Sequence, residues 1–392
     1  MPWKVSQPVD ERMDFIRRWQ QGERVSDLCR QYDVSRKTAY KFIARYRESG
    51  PVGLFDVSRR PERLARTVPP EIVERVLATR RAHPTWGSPK LRAWLAHHEP
   101  GVRLPACSTI TQILHRNGLI TERRRRPRVP AYDAGLERAE NPNDIWCADY
   151  KGHFRLGNGQ YCYPLTVSDQ FSRYLLGCEG FSRIDGRVAQ AVFERLFERF
   201  GVPRFIRTDN GAPFASRGLW GLTRLSVFWL KHGIRHERIK PSHPEQNGRH
   251  ERMHRTLKQE TTRPPARTLL SQQERFDHFV SVFNELRPHE ALGQKTPASA
   301  HTLSSRPWKP AGELTYPLHD DVRRVKSCGH LHILQRRGTP HYFVSTALAG
   351  ERVGIREIEN DCWLVTFGAL DLGIVDTRAR TFTPAYAAPT IS

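Results

Sequence analysis

The stretch VAQAVFERLFERFGVPRFIRTDNG, residues 188–211, decides the fold. Val188, Ala191, Val192, Leu196 and Phe197 recur at helical spacing, predicting a helix from about 186 to 200 that Gly201 ends. PRFIRTDNG then reads as a short buried strand closing in turn residues. Upstream, IWCADYKGHF (145–154), YCYPLTVSDQ (161–170) and SRYLLGCEG (172–180) read as three antiparallel strands, with turns at Gly157-Asn158-Gly159 and near Asp169-Gln170. Strands joined to a helix and a further strand predict an α/β core built on a mixed sheet.

Three acidic residues stand out in that core: Asp149 in IWCADYK, Asp209 in RFIRTDNG and Glu251 in HPEQNGRHERMHRTLK (243–258). A trio of carboxylates brought together by folding can hold two divalent metals about 4 Å apart, a clamp for in-line displacement at phosphorus. Carboxylates suit Mg²⁺, which keeps several waters and takes only one or two of them plus substrate phosphates. Residues 247–262 should be helical, with Asn247, Glu251, His254 or Arg255, and Lys258 on one side and Met253 and Leu257 packing inward. Trp146 points away from Asp149's face of its strand and should be core. Asp169 reads as a turn residue and His243 and His254 as phosphate contacts or packing groups, although imidazole also binds transition metals.

Outside the core the pattern is helical on one side and all-β on the other. Residues 9–60 predict a helix-turn-helix domain: Met13, Ile16 and Trp19 share a face of the first helix, Ser26 caps the second, and Ser35 caps a third carrying Ala39, Phe42, Ile43 and Tyr46. The outward face of that third helix presents Arg36, Lys37, Tyr40, Lys41 and Arg45, residue types that reach phosphates and base edges from a major groove. Residues 66–122 predict a second such domain, with Ile72, Val73, Val76 and Leu77 on one helix, WGSPKLRAWL (86–95) continuing it, and Ser108 capping STITQILHRNGLI. Residues 123–140 form a basic linker containing Arg123, Arg124, Arg125 and Arg126, expected to track a DNA backbone. The core should occupy 141–302, and short alternating runs punctuated by glycine predict a small β-barrel over 315–380.

Composition supplies the partner. The 392 residues carry 63 Lys+Arg against 41 Asp+Glu, a formal charge of +22 that favours a polyanion. No apolar run approaches the roughly 18 residues needed to span a bilayer, and no signal-peptide pattern opens the chain, so a cytoplasmic, nucleoid-associated protein is expected. Seven cysteines without a C-x-x-C pair support neither a zinc finger nor a disulfide framework.

With W-x-x-D-x-K around Asp149, T-D-N-G-x-x-F from Thr208 to Phe214 and P-x-Q-N-G-x-x-E-R-x-H-R-T-L-K from Pro244 to Lys258, the chain resembles retroviral-integrase-like DDE transposases of bacterial insertion sequences, whose catalytic core is RNase H-like. FNELRPHEALGQKTPA (283–298) resembles the segment after that core. The resemblance implies that Asp149, Asp209 and Glu251 are the catalytic residues and bind Mg²⁺, with Mn²⁺ able to substitute and two ions present when DNA is bound. It implies that Lys258 meets the DNA end, with Asn247, Arg255 and Lys151 beside it, that Asn210 and Gly211 shape the turn after Asp209, and that Gly248 allows close backbone approach. The expected partners are double-stranded DNA, as element ends and target, and further copies of the same chain. One departure matters: 41 residues separate Asp209 from Glu251, where the family usually leaves 35, a count that would select Glu245. Glu251 alone occupies the E of N-G-x-x-E, and an insertion around SRGLWGLTRL (216–225) accounts for the excess. Two other readings of the residues stand beside this one: a structure-specific or RNA/DNA-hybrid nuclease on the same fold, and a catalytically silent DNA-binding relative.

Overall fold

The computed structural model describes residues 8–56, 68–120, 135–240, 243–333 and 340–385. Two compact units divide the chain, Met1–Val68 and Pro69–Ser392. The first unit holds α1 (Pro8–Gln20), α2 (Val25–Gln31) and α3 (Arg36–Ser49) around Phe15, Ile16, Leu28, Cys29, Ala39, Ile43 and Leu54. Ser35 caps α3 by accepting from the Thr38 amide at 3.1 Å. Ser26 does not cap α2; the helix starts one residue earlier, with Arg24 at the N-cap and no side-chain bond. Ile16 is buried and Trp19 packs against the core as expected, but Met13 is exposed at 37 % and Phe15 takes its place in the stripe.

The second unit begins with α4 (Pro70–Ala82), α5 (Ser88–His98) and α6 (Cys107–Arg116), which bury Ile72, Val76, Leu77, Trp86, Leu91, Leu95, Ile110, Ile113 and Leu114. Here too the expected cap is displaced, since α6 starts at Cys107 with Ala106 at the N-cap, leaving Ser108 inside the first turn. Arg123 to Arg126 lie outside the described residues.

The central sheet contains β1 (Ile145–Tyr150), β2 (Phe154–Arg155), β3 (Tyr161–Asp169), β4 (Leu175–Phe181), then, after α7 (Gly186–Phe200), β5 (Phe205–Thr208), and, after α8 (Arg224–Lys231), β6 (Arg235–Arg238). It runs β3-β1-β5-β6, with β2 and β4 both bonded to β3. β1 is antiparallel to β3 and parallel to β5, which is parallel to β6, so the sheet is mixed as expected. α7 spans the predicted range, but its buried stripe is Ala189, Val192, Phe193, Leu196, Phe197 and Phe200; Val188 is 37 % exposed and Ala191 only half-buried. Those rings pack with Trp146, Ala148, Leu165, Val167 and Ile206 on one face of the sheet. Gly201 ends the helix at φ +79, where a Cβ would meet Ser304 Cβ at 2.7 Å, so glycine is required for the chain to turn into β5.

On the opposite face lie α9 (Gly248–Thr261) and α10 (Leu269–Ser281), burying Met253, Leu257, Phe276, Phe279 and Phe283 against Leu156, Cys162, Leu175 and Cys178. Just past α10, Asn284 clamps β4: its Oδ1 accepts from the Leu175 amide at 2.8 Å and its Nδ2 donates to the Leu175 carbonyl at 2.9 Å. A short helix, α11 (Pro297–Ala300), follows.

The C-terminal region contains β7 (Asp321–Arg324), β8 (His330–Leu331), β9 (Tyr342–Phe343), β10 (Arg352–Glu359), β11 (Cys362–Phe367), β12 (Leu370–Asp376) and β13 (Thr381–Pro384). They form a five-stranded sheet, β13-β12-β11-β10-β7, and a separate β8-β9 pair. The expected barrel is therefore seen as an antiparallel sheet whose edges, β13 and β7, are not bonded to each other. Its apolar side is covered by the segment that the sequence marked as an insertion. Leu219, Trp220, Leu222, Val227 and Leu230 join Val353, Ile355, Val365, Phe367 and Leu372 in one cluster, and Trp220 Nε1 donates to the Leu372 carbonyl at 3.1 Å. Trp220 adopts φ 58, a left-handed conformation costing about 1–2 kcal/mol. No helix among the described residues is long and apolar enough to cross a membrane.

Candidate active site and the histidine pair behind it

Adjacent parallel strands carry the first two carboxylates. Asp149 lies near the end of β1 and Asp209 directly follows β5, which pairs with β1 through Ile145–Phe205, Trp146–Ile206 and Cys147–Arg207. Alternation along β1 sends Trp146 and Ala148 into the α7 core and leaves Asp149 on the α9 side. Trp146 is fully buried, with Nε1 donating to Asn143 Oδ1 at 2.9 Å.

The Asp209 turn is pinned from several directions. Gly211 N donates to Asp209 Oδ1 at 3.1 Å, Asn210 Nδ2 to the Ile239 carbonyl at 2.7 Å, and Thr208 Oγ1 sits 2.8 Å from His236 Nε2. A Cβ at Gly211 would lie 3.1 Å from Asp209 Oδ2, so a side chain there would crowd the carboxylate. Gly248, by contrast, has open space around its missing Cβ; no close backbone approach occurs there.

Glu251 is exposed in the first turn of α9, and Arg255 and Lys258 are exposed further along the same helix, while Met253 and Leu257 are buried. Of the two alternatives at the middle position, Arg255 takes the exposed flank and His254 is enclosed at 3 % exposure. Asn247 departs from the expected contact set, being 5 % exposed at the start of the helix. Lys151 is half-buried. Glu245's side chain lies outside the described residues.

Electrostatics ties the three carboxylates together. Burial pushes the Asp149 carboxyl up to about 7; the Asp209 carboxylate adds to the rise, Glu251 adds a smaller push, and Lys151 opposes it. Like charges converging on a largely buried acid are stabilised by a cation between them, and an all-oxygen set suits Mg²⁺. The charge and oxygen chemistry of the trio suits a divalent metal, although its ligand atoms do not all lie within 4.8 Å of one another as those of Asp149, His250 and His254 do.

Behind Asp149 lies a polar layer with no local signal in the sequence. Thr166, its register partner on β3, has Oγ1 at 2.7 Å from His250 Nε2, 2.6 Å from His254 Nε2 and 3.1 Å from the Asp149 carbonyl. Ser168 Oγ lies 2.9 Å from His250 Nδ1. His254 Nδ1 is 3.6 Å from Asp149 Oδ2, beyond hydrogen-bond reach. Burial holds both imidazoles neutral, His250 at about 3 and His254 lower still. Thr166 has one hydroxyl proton. If it goes to the Asp149 carbonyl, both Nε2 atoms donate to Thr166 and His254 Nδ1 turns a lone pair toward Asp149, an arrangement suited to a proton or cation between them. Asp149, His250 and His254 are also the group among the described residues whose ligand atoms lie within 4.8 Å of one another. Their mixed nitrogen and oxygen donors suit a transition metal better than Mg²⁺.

Asp169 is buried and structural: it accepts from Asn143 N at 2.8 Å, Ser172 N at 2.7 Å and Ser172 Oγ at 2.6 Å. His243 is half-buried before α9 and does not join the cluster around Asp149. In the first unit, Arg36, Lys37, Tyr40 and Lys41 are exposed along α3 as expected. Arg45 is half-buried, its Nη2 donating to the Phe55 carbonyl at 2.6 Å.

Comparisons with known proteins agree with this layout. Residues 139–244 and 232–297 each match an integrase core domain family, residues 11–62 a helix-turn-helix domain and residues 38–114 a homeodomain-like domain. The insertion element IS476 uncharacterized 39.2 kDa protein of Xanthomonas euvesicatoria is 29 % identical over 46 % of this chain and 50 % of its own length. The insertion element IS407 uncharacterized 31.7 kDa protein of Burkholderia multivorans is 28 % identical over 47 % of this chain and 65 % of its own. The chain thus spans about half to two-thirds of these relatives. Among solved structures, the HTLV-2 integrase catalytic core domain in complex with magnesium is 20 % identical over 42 % of this chain and all of that one, with a TM-score of 0.34.

Proposed function

We propose that this chain, which carries an integrase core domain behind helix-turn-helix domains, is a DDE transposase or integrase that binds the ends of a mobile DNA element, then cuts and joins DNA. The observation carrying this reading is that Asp149 and Asp209 end paired parallel strands, with Asp209 and Glu251 both close enough to raise the buried Asp149 carboxyl. The helix-turn-helix relationship and the exposed cationic face of α3 support DNA as the partner. Domain limits of 9–60, 66–122, 123–140, 141–302 and 315–380 are part of the proposal.

Asp149, Asp209 and Glu251 would hold Mg²⁺, or Mn²⁺ in its place, with two ions once DNA is bound. Such ions activate the attacking oxygen and stabilise the leaving one. The protein's own part is placement. Strand pairing sets Asp149 beside Asp209, the Gly211 amide orients the Asp209 carboxylate, and the first turn of α9 presents Glu251. Arg255 and Lys258, exposed on that helix, would take phosphates of the element end, with Lys151 nearer the carboxylates. In end cleavage, water attacks the phosphodiester and releases a 3′-hydroxyl. In strand transfer, that hydroxyl attacks a target phosphodiester, forming one P–O bond and breaking another, without a covalent protein intermediate. Acting on two ends calls for an assembly of copies on DNA.

The test incubates the protein with Mg²⁺ or Mn²⁺, a labelled duplex of the element terminus and a plasmid target. Joined products that disappear in Asp209→Asn are expected; joining that persists in that variant would overturn the site. Cleavage without joining would favour the nuclease reading, and DNA binding with neither activity the silent one.

A further inference from the structure

α9 has a second charged flank. Arg249, two positions before Glu251, is turned about 200° around the helix from it. This side borders a cleft of about 270 Å³ lined by Lys90, Arg173, Arg249, Arg252 and Arg287, with Arg255, only about 40° around the helix from Glu251, at the edge it shares with the carboxylate flank. Among the described residues, the only carboxylates on its walls are Asp169 and Glu290. Asp169 is already satisfied by Asn143 and Ser172. Its two lining histidines are neutral, burial holding both His250 and His289 at about 3.

Among the described residues, one of the six cations has an ion-pair partner, Arg287 with Glu260 at 2.9 Å, while Lys90 Nζ donates to the Pro288 carbonyl and lies within the influence of Glu290. Arg173, Arg249 and Arg252 make no ion pair among the described residues. Arg173 Nη1 and Arg252 Nε reach only the carbonyls of Gln170 and Gly248. Arg173 is held in a left-handed conformation, φ 65, at the β3–β4 turn. Burial pushes its guanidinium down to about 10, with Arg249 and then Arg252 contributing. Six cations from separate elements facing only Asp169 and Glu290 leave an excess of positive charge in the cleft, which a ligand carrying negative charge would offset. Guanidinium groups bind phosphate oxygens in paired hydrogen bonds.

We propose that this cleft is a second backbone-phosphate site, holding a DNA strand against the flank of α9 turned away from Glu251. The inference rests on the reading that the chain handles DNA, but not on its catalysis. It makes α9 a blade between two phosphate-lined surfaces, one at the carboxylates and one behind them.

The test measures binding of the full chain to a labelled duplex of about 30 base pairs across a salt series. Arg249→Gln/Arg252→Gln should lower the slope of log affinity against log salt by about 2, because each neutralised phosphate contributes roughly 0.9. The charge-matched pair Arg195→Gln/Arg199→Gln on α7 should leave it nearly unchanged. Thr256→Glu, which adds negative charge to the cleft wall, should weaken binding as well. A melting scan checks folding: without DNA the arginine variant should melt no lower than wild type, since it loses like-charge repulsion, and inorganic pyrophosphate should stabilise wild type more. Equal slopes for both pairs would overturn the cleft, as would a change in oligomeric state with the slope intact, which would mean an acidic protein surface binds there. Wild type that binds no duplex at all would overturn the DNA reading itself.

Discussion

Replacing Asp149 with Asn should stabilise the metal-free protein at alkaline pH while abolishing its activity. In the folded chain the Asp149 carboxyl titrates at about 7, against an ordinary 3.8. Between those values the unfolded chain has released a proton that the folded chain still holds. Stability from this group is therefore full below 3.8, falls as pH rises through the window and is lost above about 7. The displacement corresponds to about 4 kcal/mol as a ceiling. With the side chain 20 % exposed, solvent screening reduces the expected effect to about 2 kcal/mol. Asparagine cannot ionise and escapes the penalty. Urea unfolding in a chelator at about pH 8.5 should place the Asp149→Asn midpoint above wild type, and at about pH 5 the gap should shrink to less than half. Adding Mg²⁺ at the higher pH should raise wild type and leave the variant unmoved, because only the native trio would bind the ion. A variant no more stable than wild type at high pH, or a gap that ignores pH, would refute the electrostatic account.

Three further expectations can be checked independently. Glu251→Gln should eliminate strand joining while Glu245→Gln retains it, in the same terminus-and-plasmid assay; the reverse outcome would restore the shorter spacing. Ser35→Ala removes the α3 cap and should cost the first unit about 1 kcal/mol, read as faster amide exchange along α3. Trp220→Ala should cost about 3 kcal/mol and expose the C-terminal sheet to limited proteolysis, with unchanged cleavage kinetics in that region counting against the packing described.

Much of the architecture was legible because strong periodicities agree with local punctuation. Gly201 and the apolar spacing before it predicted both ends of α7, and Ser35 was identified as a cap. The errors have physical causes. On α7, Val188 lies one step from Ala189 and Ala191 two from Phe193, so the stripe was rotated, and only packing against Trp146 and Ile206 selects the larger rings. Ser26 and Ser108 look like caps, but each sits second in its helix, whose N-cap two residues earlier has no side-chain bond. The predicted barrel rested on strand and turn signals alone, which do not reveal whether edge strands meet. At the candidate site, motif context proposes the three carboxylates, whereas the histidine layer has no such local signal. Thr166 and Ser168 look like ordinary polar positions in a strand, and their partners lie more than 80 residues away on α9. Helical phase also left His254 and Arg255 as alternatives. Burial separates them, placing one behind Asp149 and the other on the exposed flank.

The apolar seam between the 219–230 segment and the C-terminal sheet bears on how such chains can be recombined. A C-terminal region taken from a relative would meet Leu219, Trp220, Leu222, Val227 and Leu230 from a core that did not evolve with it. Trp220 would then keep its left-handed backbone against side chains other than Leu372 and its neighbours. Successful hybrids should have their crossover before residue 216 or exchange 216–231 together with the C-terminal sheet, so the segment that lengthens the spacing to Glu251 is inherited with the distant module rather than with the core around it.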